Sequence, residues 1–100
     1  MNNYLLLTEI RLDTFIPGKK TPQVTLEEIV VNPAHVVMMR QDEYLKQNIL
    51  DFNKWPEELD QRVTLTKIFM NLGGSHTSSS ITVLGDAKII AQKLQKSDII

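Results

Sequence analysis

The sequence holds two histidines, His35 and His76, and their chemistry depends on what the chain can bring beside them. A zinc site takes three or four protein ligands, and Asp42 and Glu43 are the acids that could join them. No His pair sits at helical i, i+4 spacing and no His-Glu-x-x-His occurs. The residue types therefore point to a strand-end His35 and a turn His76, with no metal. His76 stands among Ser75, Ser78, Ser79 and Ser80, but a nucleophile needs a base within hydrogen-bond reach and a third group to orient it. No Gly-x-Ser-x-Gly elbow supplies that geometry. Gly73-Gly74-Ser75 has the small residues of an anion-binding loop, yet it lacks the Gly-Lys-Ser/Thr ending and no helix follows it directly. A hairpin turn uses the same residues for positive φ. The acids of Asp42-Glu43 and of Glu57-Glu58-Asp60 read as solvation of an exposed connection rather than as a catalytic pair. Met38, Met39 and Met70 could line an adaptable surface, but core packing is the commoner use. The expectation is a non-enzymatic chain without cofactor. If it holds a small anionic ligand, His35, Arg40, Gly73, Gly74, Ser75 and His76 are the lining, in a pocket formed between subunits.

The elements that must position these residues are bounded by length and composition. A chain of 100 residues with 42% apolar and 23% charged residues is one globular domain. We place it at 1–96, with an insertion at 42–62 and a tail at 97–100. A formal charge of −1 gives no electrostatic reason to expect nucleic acid as partner. Such binding would require Lys19, Lys20, Arg40, Arg62 and Lys67 to gather on one surface. The sequence has no cysteine, so disulfides and thiolate metal sites are excluded. Met1-Asn2-Asn3-Tyr4 lacks the basic, apolar start of a secretory signal. No run approaches the roughly 20 apolar residues of a membrane span, so the expected location is the cytoplasm.

Periodicity then divides the chain. Tyr4–Leu12 predicts a strand with Leu6, Ile10 and Leu12 inward. Pro17–Pro22 predicts a loop and Gln23–Asn32 a second strand, stopped by the Asn32-Pro33 corner. His35–Arg40, apolar on both parities, predicts a central strand covered on both sides. Asp42–Arg62 predicts a long connection with helical turns, packed by Phe52 and Trp55, and with a helix start at Pro56-Glu57-Glu58. Phe52 and Trp55 are therefore the candidate partner-binding aromatics. Val63–Leu72 switches parity near Thr66-Lys67, which predicts a bulge or a twist. A hairpin through Gly73–His76 leads to a strand ending at Leu84. Asp86 then caps an amphipathic helix with Ala87, Ile90, Ala91 and Leu94 at i, i+3, i+4 and i+7. The predicted fold is α+β: a small antiparallel sheet in the order β-β-β-insertion-β-β-α, with the last helix packed on it.

Four stretches, LLLTEIRL, IVVNPAHVVMM, TKIFMNLGG and SITVLGDAKIIAQKL, resemble the FlbD-type flagellar and swarming-motility small-protein family. The similarity covers about residues 29–94, with the opening strand added. The second half of LytTR-type DNA-binding domains shows a related succession, without matching basic loops here. The resemblance implies a small sheet closed by a helix and a role in regulation. A sheet of this size leaves edges that pair with other chains. The expected function is a regulatory or protein-interaction module of bacterial or phage type, acting through homo-oligomerisation or partner binding.

Overall fold

The computed structural model describes residues 4–14, 17–18, 21–71 and 78–98. Strands β1 (Leu5–Asp13) and β2 (Gln23–Val31) form a hairpin in unbroken antiparallel register, from Leu5↔Val31 to Asp13↔Gln23. Asn32 then accepts the Ala34 N–H on its Oδ1 at 3.0 Å, which caps a 3-10 turn over Pro33–His35. That turn delivers the chain into β3 (Val36–Gln41). Helix α1 (Glu43–Asp51), β4 (Leu65–Asn71), β5 (Ser78–Leu84) and α2 (Ala87–Asp98) complete the order. The five strands make one antiparallel sheet in the order β2-β1-β5-β4-β3. This is the small α+β fold that the sequence pattern implies, with a C-terminal helix on the sheet. The hairpin turn expected at Gly73–His76 falls on residues outside those described.

Helices cover both faces of the sheet, and this explains most departures from the periodic reading. Side chains on a strand alternate between faces. One face buries Leu7, Val31, Ile68 and Val83 under Ile90 of α2, with Leu94 alongside. The other buries Ile10 and Leu65 under Ile49 of α1, with Leu12, Leu26, Leu45 and Trp55 around them. Leu6 is therefore not a core residue. It shares the α1 face with Ile10 but remains 62% exposed, because the α1 cluster takes in Ile10 and Leu12 and not Leu6. The parity switch in β4 has the same cause. Leu65 serves one face and Ile68 the other, while the register with β5 runs from Leu65↔Leu84 to Asn71↔Ser78 without a break. No bulge occurs at Thr66-Lys67; fully buried Thr66 instead donates its hydroxyl to the Gly85 carbonyl at 2.8 Å.

The bulge is in β3, between Val36 and Met38. It lets Val36 and Met39 both pack toward the α2 core and leaves Val37 and Met38 outside it. The expectation of a central β3 is thus overturned: β3 is an edge strand, and its double apolar parity reflects the bulge.

The insertion begins with Asp42, which holds three elements together. Its Oδ1 accepts the Leu45 N–H at 3.0 Å, capping α1. Its Oδ2 accepts the Thr82 hydroxyl at 2.8 Å, and its own N–H donates to the Leu65 carbonyl at 2.8 Å. Past α1, Asn53 takes the left-handed conformation (φ 58°), which Asn tolerates better than most side chains. Pro56-Glu57-Glu58 does not start a helix. Asp60 Oδ1 accepts the Arg62 N–H at 2.8 Å, a local side-chain turn that competes with helical bonding. Trp55 ties this loop to the core, donating its Nε1–H to the Leu59 carbonyl at 3.1 Å. At the other end of the chain, Asp86 caps α2 as its sequence suggests, accepting the Lys88 N–H at 2.7 Å.

Candidate functional site

The edges of an open sheet are where backbone N–H and C=O groups lack a partner strand, and natural edges are guarded or used. The two edges here, β2 and β3, are chemically different. On β2, exposed Glu27 and Glu28 lie side by side in mid-strand. Glu27 faces Glu9 across the hairpin and draws on Arg11, whose Nη2 lies 3.4 Å from its Oε2. Among the described residues Glu28 has no ion pair. On β3, Val37 is 69% and Met38 49% exposed, and no acid lies within the strand. β2 is guarded by charge, whereas β3 is apolar at its start and basic at its end.

The basic end has a defined structure. Arg40 pairs with Lys67 of β4 in register, and Met38 with Phe69. The Arg40 guanidinium carbon stands 5.3 Å from the Phe69 ring centroid and Lys67 Nζ 5.4 Å from it. Each is within cation–π range, where attraction to the ring is about 0.5–1 kcal/mol for exposed groups. Neither cation has a carboxylate partner among the described residues. Met38, Arg40, Lys67 and Phe69 therefore form one surface beside a free strand edge. It fits an extended chain that brings apolar side chains and a carboxylate.

A second apolar patch lies on the α1 face of the β1–β2 hairpin. Leu6 and Val30 are cross-strand partners and are 62% and 63% exposed, with Tyr4 at 53%. Between the hairpin and the other three strands, β1 meets β5 in register at Glu9↔Val83. Toward Asp13 an open cleft of about 380 Å³ is lined by Leu12, Asp13, Asp42, Lys67, Ser80 and Thr82. Its mixed charges select no single ligand class.

The residues named from the sequence are distributed as follows. His35 ends the 3-10 turn and Arg40 lies at the far end of β3, about 16 Å away at the usual strand rise. They do not converge on one pocket. Gly73, Gly74, Ser75 and His76 lie outside the described residues. Trp55 belongs largely to the core, packed with Ile10, Ile49 and Leu65 and with Lys46 Nζ 5.3 Å from its ring. Phe52, the C-cap of α1, is exposed. Arg62 is engaged by Asp60, Nη2 to Oδ2 at 2.7 Å, and this bond holds the Asp60 carboxyl below its ordinary range and raises the guanidinium. Of the five cations that nucleic-acid binding would gather, Arg40 and Lys67 come together, and Lys19 and Lys20 lie outside the described residues. Sequence reading missed Val37, Phe69, Glu28, Leu6 and Val30. Glu28, Val30 and Val37 lie on the edge strands and Leu6 and Phe69 on the strands next to them, positions that only the pairing order reveals.

Among the described residues no three His, Asp or Glu side chains are placed to hold a metal ion. No described helix is long and apolar enough to cross a membrane. The fold and its edges define a class, a small open-sheet α+β domain with one helix on each face. Comparison with family models, curated proteins and solved structures finds no match for the chain.

Proposed function

We propose that this chain is a non-enzymatic interaction module that acts by engaging polypeptide, its own or another, along the free edge of its sheet. The observation that carries the reading is β3: an edge strand with Val37 and Met38 exposed, flanked by two cations that lack an ion pair among the described residues. Strand addition draws affinity from main-chain hydrogen bonds and specificity from alternate side chains. The edge supplies the first and the Met38–Phe69 and Arg40–Lys67 rows supply the second. Such a module serves as a small cytoplasmic regulator of bacterial or phage type.

The test is native mass spectrometry of the protein purified from its own cells. A homo-oligomer, or a complex with another polypeptide, is the expected result. A monomer retaining a nucleotide, metal or other small mass overturns the reading. A second reading, nucleic-acid binding, draws on Arg40 and Lys67 beside Phe69, since single strands stack on aromatics within cationic surfaces. Its signature is steeply salt-dependent binding of an oligonucleotide.

A further inference from the structure

Resting on the edge reading above, we propose that the occupant of β3 is a second copy of this chain, docked head to tail so that β2 of the next copy becomes a parallel sixth strand. Direction comes first. Four successive antiparallel pairings separate β2 from β3, so the two edge strands run the same way. A copy moved sideways in the plane of the sheet then presents β2 to β3 in parallel, with the α1 faces on the same side.

Charge comes second. Glu28 alternates with Leu26, which packs in the α1-side cluster, so its side chain is on the α1 face. Lys67 alternates with Leu65 of the same cluster, and Arg40 is its cross-strand partner, so both cations are on that face too. Glu28 and the two cations all lack ion pairs among the described residues. Setting Glu28 of one copy beside Arg40 of the other joins them. The same register brings Leu26 level with Met38. It also carries exposed Val30, with its neighbour Leu6, just past the end of β3, level with Asp42. The alternatives are worse. A β2–β2 pair centred on Glu27 or on Glu28 sets that glutamate against its own copy, and like charges directly opposite are destabilising. A β3–β3 pair centred on Arg40 sets the two Arg40–Lys67 clusters against each other. A head-to-tail contact leaves one unused edge at each end, so assembly grows past the dimer into a ring or filament.

Charge-swapped copies test this by sedimentation velocity. One variant carries Glu27→Lys and Glu28→Lys; the other carries Arg40→Glu and Lys67→Glu. The wild type is expected to gain mass with concentration beyond the dimer and to lose it at high salt. Each variant alone is expected to remain monomeric with an unchanged circular dichroism spectrum. An equimolar mixture restores assembly, because each variant then meets its complement at both edges. If the second variant fails to fold, Arg40→Glu alone, on an exposed side chain, replaces it in the same experiment. Assembly that stops at a dimer, persists in either folded variant, or fails to return on mixing overturns the proposal. A wild type that is monomeric here but bound to another polypeptide when taken from its cells removes the head-to-tail contact and leaves the edge reading standing. A chain that is monomeric in both settings removes both.

Discussion

Replacing Asp42 by alanine removes two side-chain bonds at once, and the two losses are of different kinds. The first is the α1 cap at the Leu45 N–H, worth about 1 kcal/mol in typical helices. The second is the acceptor of the Thr82 hydroxyl. Thr82 is only 8% exposed, and a buried donor left without a partner costs about 1–3 kcal/mol. Asp42→Ala is thus expected to lower unfolding free energy by about 2–4 kcal/mol. Asp42→Asn, which keeps a capping oxygen and a polar partner for Thr82, is expected to lose less than about 1 kcal/mol. Thr82→Val on the Asp42→Ala background removes the orphaned hydroxyl, so the double variant is expected to be more stable than the summed single losses by about 1 kcal/mol. Urea unfolding followed by the single tryptophan, Trp55, measures the wild type, Asp42→Ala, Asp42→Asn, Thr82→Val and the double variant. Single losses that add to within about 0.3 kcal/mol, the behaviour of independent sites, would refute the claim that Asp42 clamps α1 to β5.

Further expectations follow from the two cores and the exposed loop. Ile68→Ala and Ile49→Ala, each emptying a fully buried site on opposite faces of the sheet, are each expected to cost about 2–5 kcal/mol in urea titration. Phe52→Ala, at an exposed helix end, is expected to change stability by less than about 0.5 kcal/mol. In an NMR titration, Asp60 is expected to ionise below the ordinary carboxylate range, and Arg62→Gln to bring it back up. Because the folded-state value is the lower one, the Asp60–Arg62 contact contributes above the unfolded-state value and fades as pH falls through the folded-state value.

How much of this was readable from the sequence depended on whether a signal was local. The Asp86 cap and the spacing of Ile90 and Leu94 are local, and α2 forms where they place it. The Asn32-Pro33 corner is local as well, and it appears as a capped turn. The orientation of Leu6, the phase of β4 and the position of β3 are not local. An apolar residue on either parity is consistent with one covered face or two, and only the packing of α1 opposite α2 decides between them. The Pro56-Glu57-Glu58 signature has the residue types of a helix start, but Asp60 captures the Arg62 N–H and turns the chain instead. The candidate site was half legible. Arg40 and Lys67 stand among the cations named from the sequence, yet nothing in one strand's sequence says that it has a single neighbour.

The measurement closest to the central claim is sedimentation velocity of the wild type beside a variant carrying Val37→Glu and Met38→Glu, which sets like charge against an acidic occupant. Both side chains are exposed on the edge strand, so the variant should still unfold cooperatively in urea, below the wild-type midpoint only by the concentration-dependent share that assembly contributes. The account predicts that the wild type sediments as an assembly larger than the 11.4 kDa chain and that the variant sediments as a folded monomer. A variant that assembles as the wild type does would contradict the assignment of β3 as the interaction edge.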